Sequence, residues 1–183
     1  MSSIAVTGSA SGTGVISLLA PVTNSDRTLT LPDVTGTVLS TATAGVPVNG
    51  PAFSALQGSQ AVNSVTFTKL ACATEEFDTN SNYDSATNYR FTPTVAGYYQ
   101  VNGQYYLNST SGGCITVVYK NGSAAKYGSF SVANSYGAAS NVSALIYLNG
   151  STDYVELYTY QNTGSTVTGS GSYFQASMVR SAV

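Results

Sequence analysis

Phe91 to Leu107 reads FTPTVAGYYQVNGQYYL, five aromatic rings and no charge in 17 residues. From Gly97 onward the stretch alternates. Tyr99, Val101, Gly103 and Tyr105 share one side, and Tyr98, Gln100, Asn102, Gln104 and Tyr106 share the other. A period of two is the signature of an extended strand, whose successive side chains point to opposite faces. The run therefore reads as one long strand with tyrosine on both faces.

The rest of the sequence agrees with that reading. The 183 residues carry 6 Lys and Arg, 8 Asp and Glu and no His, and are rich in Gly, Ser, Thr, Asn, Val and Tyr. β-Branched and aromatic residues suit a pleated surface, and Ser, Asn and Gly suit turns, so the composition predicts an all-β fold. Strands are predicted at Thr66–Ala71, Gly97–Leu107, Cys114–Tyr119, Lys126–Val132, Val142–Leu148, Tyr154–Tyr160 and Tyr173–Val179. Turn clusters separate them at the spacing of a sandwich or barrel, and no helix of useful length is predicted. Asn121-Gly122 marks the clearest hairpin, because both residues tolerate the positive φ of a tight turn. Asn149-Gly150 repeats the signal over a longer loop.

Three parts are distinguishable by pattern. Residues 1–46 hold two short runs, GVISLL from Gly14 and RTLTLP from Arg27, too small to bury a core of their own. The Pro/Gly-rich residues 47–51 read as a linker. Residues 52–183 form the main β domain. A net charge of −2 gives no reason to expect nucleic acid as a partner. The most apolar run near the start, Val15 to Ala20, is far shorter than a membrane span and no basic segment precedes it. A soluble chain made in the cytoplasm is expected, and a particle released by lysis needs no export signal.

The second faces of the tyrosine strands point to assembly. In Tyr154–Tyr160, Val155, Leu157 and Thr159 form a core-like face, while Tyr154, Glu156, Tyr158 and Tyr160 lie opposite. Tyrosine mixed with uncharged polar groups suits a protein interface, where rings supply area and hydroxyls or amides pair across the contact.

Catalytic chemistry has little support. Without histidine no Ser-His-Asp or Cys-His arrangement can form. Glu75, Glu76, Asp78 and Asp84 are the only acidic cluster, in a turn-rich loop unsuited to a rigid pair of catalytic carboxylates. Asp78, Asn80, Asn82 and Asp84 alternate like calcium ligands, but Tyr83 and Tyr89 stand where an EF-hand loop needs Gly and Glu. The bland alternative is a loop held by Asx turns, and no cofactor other than this weak calcium candidate is expected. Cys72 and Cys114 are two buried thiols or one disulfide, depending on redox compartment. The polar loop from Tyr160 to Tyr173 has the chemistry to meet a glycan, or to be an ordinary loop.

PAFSA at Pro51, FTKL at Phe67, YDSATNYRFTPTVAGYYQV at Tyr83, YKNG at Tyr119, LNGSTDYVELY at Leu148 and SYFQASMV at Ser172 occur in a telling order. Over residues 51–180 they resemble the globular head of complement component 1q and its relatives. The resemblance implies a ten-stranded jelly roll similar to tumour necrosis factor, packed as a trimer through one sheet. Tyr98, Gln100, Tyr154, Glu156, Tyr158 and Tyr160 are then the interface candidates. Residues 12–41, with the core DRTLTLPDVTGTVL, resemble a segment of bacteriophage tail fibres and appendages. Together the two resemblances imply a non-enzymatic virion protein: a homotrimer joined to other virion proteins through its N-terminal segment, with a head that meets a host receptor or surface glycan. A capsid decoration protein or head fibre is the nearest alternative, and a secreted lectin-like ligand a further one.

Overall fold

The computed structural model describes residues 50–182. The expected N-terminal segment, its fibre-like stretch and most of the expected linker lie outside the described residues. Within them the chain is all-β, with fourteen strand segments and no helix: β1 (Ala52–Leu56), β2 (Gln60–Val62), β3 (Thr68–Lys69), β4 (Thr74–Asp78), β5 (Tyr83–Asp84), β6 (Arg90–Phe91), β7 (Gly97–Leu107), β8 (Gly113–Lys120), β9 (Ser123–Tyr127), β10 (Ser131–Val132), β11 (Ala138–Leu148), β12 (Val155–Gln161), β13 (Val167–Gly169) and β14 (Tyr173–Ser181). A five-stranded sheet runs β11-β7-β14-β1-β4, and a seven-stranded one runs β10-β8-β12-β6-β5 with β3 on β12 and β9 on β8. β13 and β2 form a separate ribbon.

β7 covers the whole predicted strand and holds the first sheet together, antiparallel to β11 on one side and β14 on the other. Its alternation becomes burial: Tyr99, Val101, Gly103, Tyr105 and Leu107 face the opposing sheet, while Tyr98, Gln100, Asn102, Gln104 and Tyr106 face outward. Gly103 is needed for closeness. A Cβ there would stand 2.7 Å from Leu157 Cδ2 and nearer still to Cδ1, so the missing side chain lets β12 approach β7.

Aromatic rings fill the space between the sheets. Phe53 stacks on Tyr83 at 4.4 Å and on Phe91 at 4.7 Å, and meets the edge of Phe174 at 5.0 Å. Phe91 in turn meets Tyr99 at 5.6 Å. Both buried hydroxyls in this group are satisfied, Tyr83 Oη donating to the Cys72 carbonyl (2.9 Å) and Tyr99 Oη to that of Val95 (2.6 Å). The hydroxyl of Tyr105, also buried, has no protein partner, and burial of the rings is the main stabilising term of a sandwich.

Three sequence expectations change in the structure. The strand expected over Lys126–Val132 is broken into β9 and β10, because Gly128 and Ser129 donate to the carbonyls of Thr116 and Asn141 and carry the chain across. The strand expected over Thr66–Ala71 narrows to two residues. Asn121-Gly122 does form the two-residue hairpin, with φ of 52° and 77°. Asn149-Gly150 does not form one, since β11 and β12 belong to different sheets. There Asn149 Oδ1 accepts from the amides of Ser151, Thr152 and Asp153 and shapes an arch between the sheets.

Replacing Gly103 by Val tests the close approach. Overpacking at such a contact costs about 1–3 kcal/mol, so the urea midpoint of Gly103→Val falls while Gly58→Ala, where nothing lies within 4 Å, leaves it unchanged.

Candidate interaction faces

A sandwich buries the inner face of each sheet and leaves two outer faces. On the five-stranded sheet, pairing places Tyr98 opposite Tyr147, Gln100 opposite Leu145 and Asn102 opposite Ser143, all outward. Tyr98, Leu145, Tyr147 and Val179 are large, apolar and exposed, Leu145 by 54%. Tyr98 and Tyr147 pack at 5.5 Å. Beside them a polar row is internally bonded: Gln100 Nε2 donates to Ser143 Oγ (2.9 Å), and Ser143 Oγ donates to Asn102 Oδ1 (2.9 Å). A hollow of about 630 Å³ opens here, lined by Tyr98, Leu145, Val179, Arg180, Ser181 and Ala182. A smaller one of about 200 Å³ lies farther across the sheet, beside Phe77, Asn102, Gln175 and Ser177. Contiguous exposed apolar surface of this kind marks an interaction site.

The seven-stranded sheet has a different outer face. Tyr158 pairs with Val117, and Val117 with Tyr127 on its other side. Val117 is fully buried yet is no part of the core between the sheets, so rings on the outside cover it. Tyr119 and Tyr158 stack at 3.9 Å and 20°. Phe67 lies 5.3 Å from Tyr160 and 6.4 Å from both Tyr119 and Tyr127. Glu156, only 4% exposed, is held by Lys69 Nζ at 2.5 Å.

The six interface candidates are thus divided. Tyr98 and Gln100 lie outward on β7 in the five-stranded sheet. Glu156, Tyr158 and Tyr160 lie outward on β12 in the other sheet, and Tyr154 is covered by the Arg90 guanidinium at 4.6 Å. Sequence alternation identified outward residues but not the sheet to which each strand belongs. It passed over Leu145, Tyr147 and Val179 on one side and Phe67, Val117 and Tyr127 on the other. The alternation of β11 already separates Leu145 and Tyr147 from its buried residues, and would have located them once its pairing with β7 was known.

The acidic loop is held by its own hydrogen bonds. Asp84 accepts from the amides of Thr87, Ala86 and Asn88 and from the Asn88 side chain. The Thr87 amide first, with the Asn88 side chain, lowers its pKa to about 2. Asp78 accepts from the Asn80 and Tyr83 amides, Asn82 Oδ1 from the Thr94 amide, and Glu76 from Ser54 Oγ. Asp78 and Asp84 thus form Asx turns, while Asn82 ties the loop to Thr94. Among the described residues no group of three or more Cys, Asp or Glu is placed to hold a metal. The loop after Tyr160 is likewise tied down, Thr163 to Gln161 and Ser165, Gly164 to Ser64 and Thr166 to Asn63.

Cys72 and Cys114 are free, buried thiols. Burial pushes them up to about 12 and about 11, and Tyr105 up to about 12. The same desolvation raises Tyr83 and Tyr99.

No family model matches the sequence, and no curated protein matches it. Solved structures do match in fold. The phage PRD1 vertex protein P5 is 19% identical with a TM-score of 0.59, over 73% of this chain and 99% of that one. The globular domain of zebrafish complement 1qA is 16% identical at 0.54, again over 73% and 99%. The tumour necrosis factor Eiger of S. frugiperda is 11% identical at 0.54, over 73% and 96%. The fold is a jelly roll of the complement 1q and tumour necrosis factor kind.

The raised thiol and phenol pKa values give a sign. In the unfolded chain these groups titrate near 9.0 and 10.0, whereas the fold keeps their protons to higher pH. Stability is therefore intact below about pH 9 and falls above it, by about 1.4 kcal/mol per pH unit for each group caught between its two pKa values. Urea midpoints between pH 8 and 10.5 should decline, with a shallower decline for Cys72→Ala. At pH 8 both thiols should react with Ellman's reagent only after denaturation.

Proposed function

We propose that the chain is a non-enzymatic structural protein of a bacteriophage particle, assembled as a homotrimer whose jelly-roll heads contact the host surface. One observation carries the assembly: the exposed apolar patch of Tyr98, Leu145, Tyr147 and Val179, beside an uncharged polar row already bonded within itself. Such a surface gains by burial and has few unpaired groups to desolvate, which is how a subunit contact is built. A three-fold arrangement through this sheet leaves the seven-stranded sheet outward on every subunit. Three short N-terminal segments, brought together at one end, then gain neighbours with which to share a core.

The phage setting rests on the tail-fibre resemblance of residues 12–41 and on the fold shared with a phage vertex protein. The second likeness favours a capsid spike or head fibre as the alternative to a tail appendage. In either place, three heads on one trimer and many trimers on one particle let weak contacts act together.

Light scattering on the full chain tests the assembly. The expected mass is three times 18.8 kDa, and Leu145→Asp reduces it to one chain without unfolding the head. A wild-type monomer contradicts the proposal.

A further inference from the structure

The geometry points to the ring platform on the outer face of the seven-stranded sheet as a binding site for an uncharged pyranose segment of a glycan. This inference rests on the reading above, in which that face stays open on the assembled particle.

Three features select the ligand. The first is shape. Tyr119 and Tyr158 close on each other as a stack, and beside it Phe67 and Tyr127, 40% and 60% exposed, offer apolar ring faces that the C–H faces of sugar rings cover. The second is charge. Lys69 and Glu156 neutralise each other at 2.5 Å, and Arg90 is already laid on Tyr154. Lys126 pairs with Val118, whose side chain belongs to the core, and so lies on the other side of its strand. No surplus charge is aimed at the platform, so neither a phosphate nor an acidic sugar is selected. The Lys69 ammonium, 6.0 Å from the Tyr158 ring centre, instead offers hydroxyl groups a hydrogen-bonding partner at its edge.

The third is size. A fully buried ring of this kind covers about 150–250 Å²; Phe67 and Tyr127 are exposed and Tyr119, Tyr158 and Tyr160 half-buried, leaving open on the order of 400 Å². One or two sugar rings match it.

Affinity electrophoresis of the full chain through gels holding dextran, mannan or β-glucan tests the site. Wild type should be retarded by at least one polymer, with about tenfold weaker binding for Tyr127→Ala or Phe67→Ala. Tyr158→Phe keeps the ring and should stay near wild type, and Asn141→Ala on the opposite sheet should match it. Tyrosine emission gives a second readout of the same titration, since the chain has 14 Tyr and no Trp. Absence of retardation in all three gels, or retardation insensitive to Tyr127→Ala, overturns the site. A trimer that is not retarded refutes this inference alone, whereas a retarded monomer refutes the assembly and leaves the platform standing.

Discussion

Everything outward in this molecule follows from how closely its two sheets meet at Gly103. With no side chain there, Leu157 of the opposing sheet comes up against the β7 backbone. The inner faces are then filled by Phe53, Tyr83, Phe91, Tyr99 and Phe174. Tyr105, a second ring from β7, is buried with them. The tyrosines on the outward side of each strand lie outside this core, and the chain has to make use of them there.

It does so in two ways. On the five-stranded sheet the outward rings gather at one end beside neutral amides and hydroxyls, a surface suited to being covered by protein. On the seven-stranded sheet the rings cover Val117 and stack on one another, forming a small second cluster that is stable as it stands. The first face is unfinished without a partner; the second is not. On the proposed reading that difference separates assembly from recognition, on opposite sides of one sandwich. Among the described residues the ion pairs are few, Lys69 with Glu156 and Lys120 with Asp153.

Much of this was legible in the sequence, and the limit is physical. The period-two pattern of Gly97–Leu107 located one of the two longest strands to the residue, and Asn121-Gly122 its hairpin, because both are local signals. The short β6 on β12, the ribbon of β2 with β13 and the break at Gly128 depend on hydrogen bonds to distant strands, and no local pattern records them. Alternation told which residues of β7 and β12 point outward. It could not tell that they point in opposite directions, because sheet membership is a property of pairing.

Tyrosine nitration mapped by mass spectrometry on the native full chain bears most directly on the claim that the two outer faces have different fates. Tyr136, 85% exposed, sets the rate of a free ring. The account predicts that Tyr127 reacts at a comparable rate while Tyr98 and Tyr147 are protected in the assembled protein and become reactive in Leu145→Asp. Nitration of Tyr98 and Tyr147 in the wild type as fast as Tyr136 would mean that the five-stranded face is open, and the division of labour between the two sheets would fail.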